Sequence, residues 1–206
     1  MADLPPPPGR ALVTGLVLAG GRATRMGGVD KGLQLFRGQA LVDHALSRLA
    51  PQVGELMISA NRNADFYAAR VARVLVDATN DFAGPLAGVL AGLRASRTPW
   101  VAVVPCDAPL LPPDLVMRLA QAVAGSSRQA SGAVVERDQG GDRGRRVEPV
   151  CCLLSTTLAD DLAAYLASGE RQVERWLSRH ALRVAFDRDG DIGAFANFNT
   201  LDDLLD

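Results

Sequence analysis

An α/β fold, built as a Rossmann-like three-layer sandwich around a mostly parallel sheet, is what this sequence predicts, and three observations predict it. Short, almost wholly apolar runs alternate with segments whose apolar residues recur at helical spacing. The apolar runs show no inside–outside alternation, as expected of strands covered on both faces. Each of the first four runs ends at a polar or glycine-rich feature, the usual place for ligands in an open parallel sheet.

Taken in order, 11–18 reads as the first strand: it contains two valines and stops at glycines. Leu41 to Leu49 has apolar residues at 41, 42, 45, 46 and 49, one face of a helix. Residues 55–61 predict a second strand and 73–77 a short third. Gly84-Pro85 opens a helix to about Ala95, with proline where its missing N–H costs nothing. Residues 100–105 form the fourth strand, followed by a helix over 114–124. Past Ser126 the texture changes. Residues 133–136 and 147–154 suggest an antiparallel strand pair joined by a polar, glycine-rich loop. Helices follow at 156–166 and 172–178, then a strand at 182–186 and a last short helix at 200–205. Residues 1–10, with four consecutive prolines, are expected to be a solvated tail, and 11–206 one domain. Within it, the change of texture divides 11–125 from 126–206.

Hydrophobic residues make up 48% of the 206 and charged residues 22%, ordinary for a globular chain, and the net charge is −1. That balance argues against a nucleic-acid binder held by phosphate contacts. No run approaches the roughly 18–20 apolar residues of a membrane span, and the amino end is not a secretory signal. The expected compartment is the cytoplasm. Cys106, Cys151 and Cys152 lack zinc-ligand spacing, and His44 and His180 are far apart, so the cysteines read as small apolar residues of buried strands. Any metal chemistry then falls to oxygen ligands, which suits Mg2+.

The strongest chemical signal is LAGGRATRMGGVDKG, Leu18 to Gly32. Its glycines let backbone N–H groups approach a phosphate closely. Arg22, Arg25 and Lys31, against Asp30, leave a local charge of +2 suited to a polyanion. The register is neither a P-loop nor a dinucleotide-binding Gly-x-Gly-x-x-Gly. Asp107, fixed between Pro105 and Pro109 at the end of the fourth strand, is a natural magnesium ligand beside a triphosphate. Asp77 ends the third strand, where a plain turn is the competing reading. Gly88 and Gly92 read as close-packing positions in their helix. The stretch from Arg137 to Arg146 carries four Arg against Asp138 and Asp142, a second local +2 suited to an acidic acceptor.

The Leu18–Gly32 segment resembles the signature of the molybdenum cofactor guanylyltransferases. Asn61-Arg62, Gly84-Pro85-Leu86-Ala87-Gly88, Pro105-Cys106-Asp107-Ala108-Pro109, Gly169-Glu170-Arg171 and Asn197-Phe198-Asn199 extend the likeness from about Thr14 to Leu204. The resemblance implies a nucleotide-diphospho-sugar-transferase-like fold. It implies that GMP is transferred from GTP to the phosphate of molybdopterin, with Mg2+ as cofactor and pyrophosphate released. By the same likeness Leu18, Ala19 and Gly20 line the nucleotide site, Lys31 binds phosphate, Asp77 the nucleotide, and Asp107 nucleotide and metal. Gly21, in the same loop, is counted with the nucleotide site, which makes 11–125 the nucleotide-binding half and 126–206 the acceptor-binding half. Ser59 stands where relatives often carry Asn, which leaves open whether Ser59 or Asn61 reads the nucleotide. Asn197 and Asn199 would contact the pterin, a turn capping the last helix being the plainer alternative.

The chemistry expected is an in-line attack of the pterin phosphate on the α-phosphorus, with Lys31 and Arg25 offsetting charge and no covalent nucleophile. A cytidylyltransferase on the same pterin, a sugar-phosphate nucleotidyltransferase and a non-catalytic pterin carrier are the rivals. Relatives of the first tend to carry Leu-Ala-Ala-Gly where this chain has Leu18-Ala19-Gly20-Gly21, which favours guanine. Hand-over of the product to molybdoenzymes or their chaperones is the partner relation the resemblance suggests.

Overall fold

The computed structural model describes residues 6–19, 30–76, 84–126, 130–140 and 144–198. A seven-stranded sheet forms the centre. Its strands are β1 (Val13–Leu18), β4 (Glu55–Ser59), β5 (Val74–Leu75), β6 (Trp100–Pro105), β7 (Gly132–Asp138), β8 (Arg145–Ser155) and β9 (Ala181–Ala185). Two further strands, β2 (Leu35–Phe36) and β3 (Gln39–Ala40), make a separate hairpin. The sheet order is β5-β4-β1-β6-β8-β7-β9. Neighbours pair in parallel except where β8 lies against β6 and β7, so β8 alone runs backwards.

Helices cover both faces. α1 (Leu41–Leu49) and α4 (Leu115–Ala124) pack with Val13, Val17, Ile58, Ala102 and Val104 on one side. α3 (Pro85–Ala95), α5 (Ala159–Ala167) and α6 (Val173–His180) pack with Leu16, Leu18, Met57, Val101 and Val103 on the other. Alternate residues of β1 and β6 therefore feed opposite cores, which explains why their sequences are apolar throughout. α2 (Ala64–Ala68) is a single short helix after β4.

Two glycines let α3 sit close on the sheet. A Cβ on Gly92 would lie 2.4 Å from Leu16 Cδ2, and one on Gly88 would lie 2.6 Å from Ser59 Oγ. The close-packing reading of both positions agrees with this geometry. A buried ion pair fastens the carboxy-terminal segment to α4. Arg118 Nη1 donates to both oxygens of Asp191 at 2.8 and 3.0 Å, and Nη2 donates to the Ala185 carbonyl. Its guanidinium also stacks 3.6 Å above the Phe186 ring centroid.

Several boundaries differ from the expectation. β1 begins at Val13, because Arg10–Leu12 form a 3-10 turn. Arg10 donates to the Val53 carbonyl, and Pro7 to Arg10 line a cavity of about 380 Å³ with Pro51, Pro113 and Met117. This part of the expected tail therefore lies against the domain. β4 stops at Ser59, two residues before Asn61. β7 and β8 are longer than predicted, so Arg137, Asp138, Arg145 and Arg146 lie in paired strands instead of a loop. The β2–β3 hairpin and α2 were absent from the sequence reading. The predicted last helix, 200–205, lies outside the described residues.

Candidate active site

Parallel pairing brings the carboxyl ends of four strands to one level. Leu18 of β1 sits opposite Ser59 of β4 and Pro105 of β6, and Ser59 opposite Leu75 of β5. Backbone bonds continue the row one residue further: Ala19 N–H donates to Ser59 O, Ala60 N–H to Leu75 O, and Cys106 N–H to Leu18 O. Leu18, Ala19, Ser59, Asn61 and Asp107 thus lie along a single edge, as the sequence predicted.

Lys31 reaches this edge from the first residue of a 3-10 turn, Lys31–Leu33. Its Nζ donates to Asp107 Oδ2 at 3.0 Å, joining residues from the two strongest motifs. The Asp107 side chain is 14% exposed and that of Lys31 33%. Both are shielded enough for charge to count and open enough to meet a ligand. Asp107 offers one hard carboxylate, with a cation already on one oxygen. Among the described residues no three His, Cys, Asp or Glu side chains gather around a common point. This donor set fits a small divalent ion shared with phosphates and water, which needs only one or two carboxylates from the protein.

Behind Lys31 stands a support that sequence reasoning counted only as an offsetting charge. Asp30 is buried, and its Oδ1 accepts from Gly32 N–H at 3.1 Å and from the Tyr67 hydroxyl at 2.8 Å. Its Oδ2 accepts from Asn63 Nδ2 at 2.8 Å. Tyr67 is fully buried, and burial together with the Asp30 carboxylate pushes its phenol pKa well up, so it remains a donor. An Asp immediately before Lys-Gly was the available signal, since Asp at that place caps a turn.

The carboxy-terminal motif also arrives here. Phe198 N–H donates to the Asp107 carbonyl at 2.9 Å, and the Phe198 ring lies 4.7 Å from that of Phe36. Phe36 belongs to the β2–β3 hairpin, whose turn residues Arg37 and Gly38 both have positive φ, at 49° and 78°. Asn197 is therefore held next to Asp107 in space. Ser59 and Asn61 separate clearly. Ser59 is buried with its hydroxyl toward Gly88, while Asn61 is exposed beyond the strand end.

The basic stretch at 137–146 is more balanced than its sequence suggests. Arg137 Nε donates to Glu148 at 2.5 Å, and Arg146 approaches the same carboxylate at 3.7 Å. Arg145 is bonded to both Glu136 and Asp187. Acids from neighbouring strands thus neutralise much of the expected local +2; Arg146, at 53% exposure, is the more open side chain. The three cysteines are buried and unbridged, and burial raises all three thiol pKa values, that of Cys152 to about 12. Among the described residues no helix is long and apolar enough to cross a membrane. Gly20, Gly21, Arg25, Asp77 and Asn199 lie outside the described residues.

The chain matches the MobA-like NTP transferase domain over residues 15–184. It is 51% identical over 194 residues to the molybdenum cofactor guanylyltransferase of Ralstonia nicotianae, covering 93% of this chain and 94% of that one. It is 52% identical over 197 residues to that of Burkholderia ambifaria, covering 93% of each. Among solved structures it resembles the molybdopterin-guanine dinucleotide biosynthesis protein A of Archaeoglobus fulgidus, with a TM-score of 0.69 at 22% identity over 93% and 94% of the two chains. A likeness of fold alone extends to 4-diphosphocytidyl-2C-methyl-D-erythritol synthase of Anaerococcus prevotii, with a TM-score of 0.71 at 10% identity over 95% and 93%. The sheet edge that gathers Leu18, Lys31 and Asp107 is thus the edge of a nucleotidyltransferase, and the chain belongs to the MobA-like NTP transferase family.

Proposed function

We propose that this enzyme transfers GMP from GTP to the phosphate of molybdopterin, releasing pyrophosphate and leaving the guanine dinucleotide form of the cofactor. The observation that carries the reading is the 3.0 Å pairing of Lys31 with Asp107 at the common end of β1, β4 and β6. The guanylyltransferase relatives at about half identity over nearly the whole chain support the choice of substrates.

Lys31 holds the triphosphate and offsets negative charge as pyrophosphate departs. The backbone of Leu18 and Ala19 bounds the nucleotide at the end of β1. Asn61, exposed at its strand end, is better placed than Ser59 to meet the base or ribose, because the Ser59 hydroxyl faces α3. Gly20 and Asp77 are assigned to the same nucleotide by resemblance, while Arg25, by its charge, and Gly21, by its place in the loop, are assigned to its phosphates. Asp107 would hold Mg2+, which when bound polarises the α-phosphate. Asn197, docked beside Asp107 through Phe198, and Asn199 would meet the pterin. Arg146 at the head of β8 is open to an acidic acceptor. No side chain has to act as a base, since the attacking phosphate is already anionic.

Lys31 offsets the charge of Asp107. Bound GTP would draw Lys31 toward phosphate and open the Asp107 carboxylate to a divalent ion. Metal and nucleotide should therefore bind more tightly together than separately. Pyrophosphate release in the presence of Mg2+ and molybdopterin tests the reading. Release is expected with GTP and only weakly with CTP; release with CTP alone would assign the chain to cytidylyl transfer. The expected compartment is the cytoplasm, and the expected recipients of the product are molybdoenzymes or their chaperones.

A further inference from the structure

We infer that Asp30 is a positioning residue that aims Lys31 by locking the end of the phosphate loop onto the segment following β4. The inference rests on the reading of Lys31 as a triphosphate ligand. Three donors from two separate stretches of chain converge on this one carboxylate. They are Gly32 N–H from its own turn, Asn63 Nδ2 from the residue that caps α2, and the Tyr67 hydroxyl from within α2. Burying a carboxylate is costly, and hydrogen bonds that each fix a direction are what offset the cost.

The neighbouring residues are shaped to the same end. A Cβ on Gly32 would lie 2.4 Å from Tyr67 Oη, so glycine at this position is what admits the hydroxyl. Asn63 adopts left-handed backbone, with φ at 53°, a conformation that Asn tolerates better than most residues. That conformation ends the Asn61-Arg62-Asn63 turn and begins α2. Lys31 is bonded in sequence to the clamped residue on one side and to Gly32 on the other. Its backbone is therefore held at both ends, leaving only the side chain to swing between Asp107 and phosphate.

Calorimetric titration with GTP, inorganic tripolyphosphate and guanosine tests this. The proteins are wild type, Asp30→Ala, Asp30→Asn, Tyr67→Phe, Lys31→Gln and Asp30→Ala/Lys31→Gln. Lys31→Gln should weaken tripolyphosphate by roughly 10- to 100-fold, the worth of a hydrogen bond to a charged group. Asp30→Ala should weaken GTP and tripolyphosphate about tenfold and leave guanosine nearly unchanged. Asp30→Asn should recover most of that loss, since turning the Asn63 amide restores the bonds without the charge. Tyr67→Phe deletes one hydroxyl from a packed ring and should give a smaller loss in the same direction. The double variant should bind tripolyphosphate no more weakly than Lys31→Gln alone. Additive losses, or a fall in guanosine affinity as large as that for tripolyphosphate, would overturn the inference. Wild type that fails to distinguish itself from Lys31→Gln would instead sink the reading of Lys31, and the inference with it.

Discussion

Lys31 and Asp107 stand 76 positions apart in the chain and 3.0 Å apart in the fold. Each alone is an ordinary surface charge, and the sheet makes them a pair. Their neighbour Cys106 shows how sharply the environment changes over one residue. Cys106 is buried, and that burial with the nearby Asp107 and Asp30 carboxylates drives its thiol pKa far up. Cys151 and Cys152 are likewise buried, with thiols raised by desolvation. Thiolate is the reactive form, so native protein at pH 8 should resist iodoacetamide, and labelling should appear only as the chain unfolds in urea. Stoichiometric modification of folded protein, followed by mass spectrometry, would contradict this. At this scale the sequence was readable where a motif carried the residue, as with Leu18, Lys31 and Asp107. For Asp30 it offers a turn cap and nothing more, because the partners Asn63 and Tyr67 lie more than 30 positions away and no local pattern announces them.

Among the elements, α3 shows how a helix is brought close to a sheet. Gly92 lies against Leu16, whose side chain is fully buried and has no room to retreat. Overpacking costs about 1–3 kcal/mol, while replacing glycine within a helix returns about 1. Gly92→Ala should therefore destabilise the fold by up to about 2 kcal/mol in urea titration, against the gain expected of the same exchange on an exposed helix. The long elements were visible in sequence because burial leaves a repeating trace: α1 buries residues 41, 42, 45, 46 and 49, the five picked out by spacing. The β2–β3 hairpin left none. Its strands hold two residues each, too few for any period, and its turn is Arg-Gly in place of the more telling Asn-Gly. Yet that hairpin supplies Phe36, which seats Phe198 and with it the Asn197 segment against Asp107. The ends of β7 and β8 extend past the apolar residues that mark them in sequence. Arg137, Asp138, Arg145 and Arg146 look like loop residues by polarity, but cross-strand partners such as Glu148 and Glu136 satisfy them within the sheet.

Across the whole molecule, one edge of the sheet gathers the candidate site and its two faces carry the apolar cores. At the far end of the same edge, β7, β8 and β9 are joined by charge. Hydrogen bonds from Arg145 and Arg183 hold the Glu136 carboxyl below its ordinary pKa. The Asp138 backbone N–H and Arg145 do the same for Asp187. Both groups have folded pKa values depressed from the unfolded ones. Their stabilising contribution is therefore complete above the ordinary carboxylate range near pH 4 and is lost as pH falls through the folded values. Arg145→Ala should lower the melting temperature at pH 7, and the gap from wild type should close as the pH is taken down to about 2. A gap that widens in acid would reverse the assignment. Sequence alone could place these residues in the second half of the chain but not across from one another, since strand order is not written in local spacing.

The central claim, that the Lys31–Asp107 pair marks the reaction centre for guanylyl transfer, is tested most directly by Asp107→Ala. The measurement is single-turnover transfer of labelled GMP from GTP to molybdopterin at saturating substrate and ordinary magnesium, alongside a thermal melt. Transfer should fall by about 10²–10³, the loss typical of removing one group that stabilises transition-state charge. The melting temperature should stay close to that of wild type. Transfer at the wild-type rate by a folded Asp107→Ala protein would contradict the account.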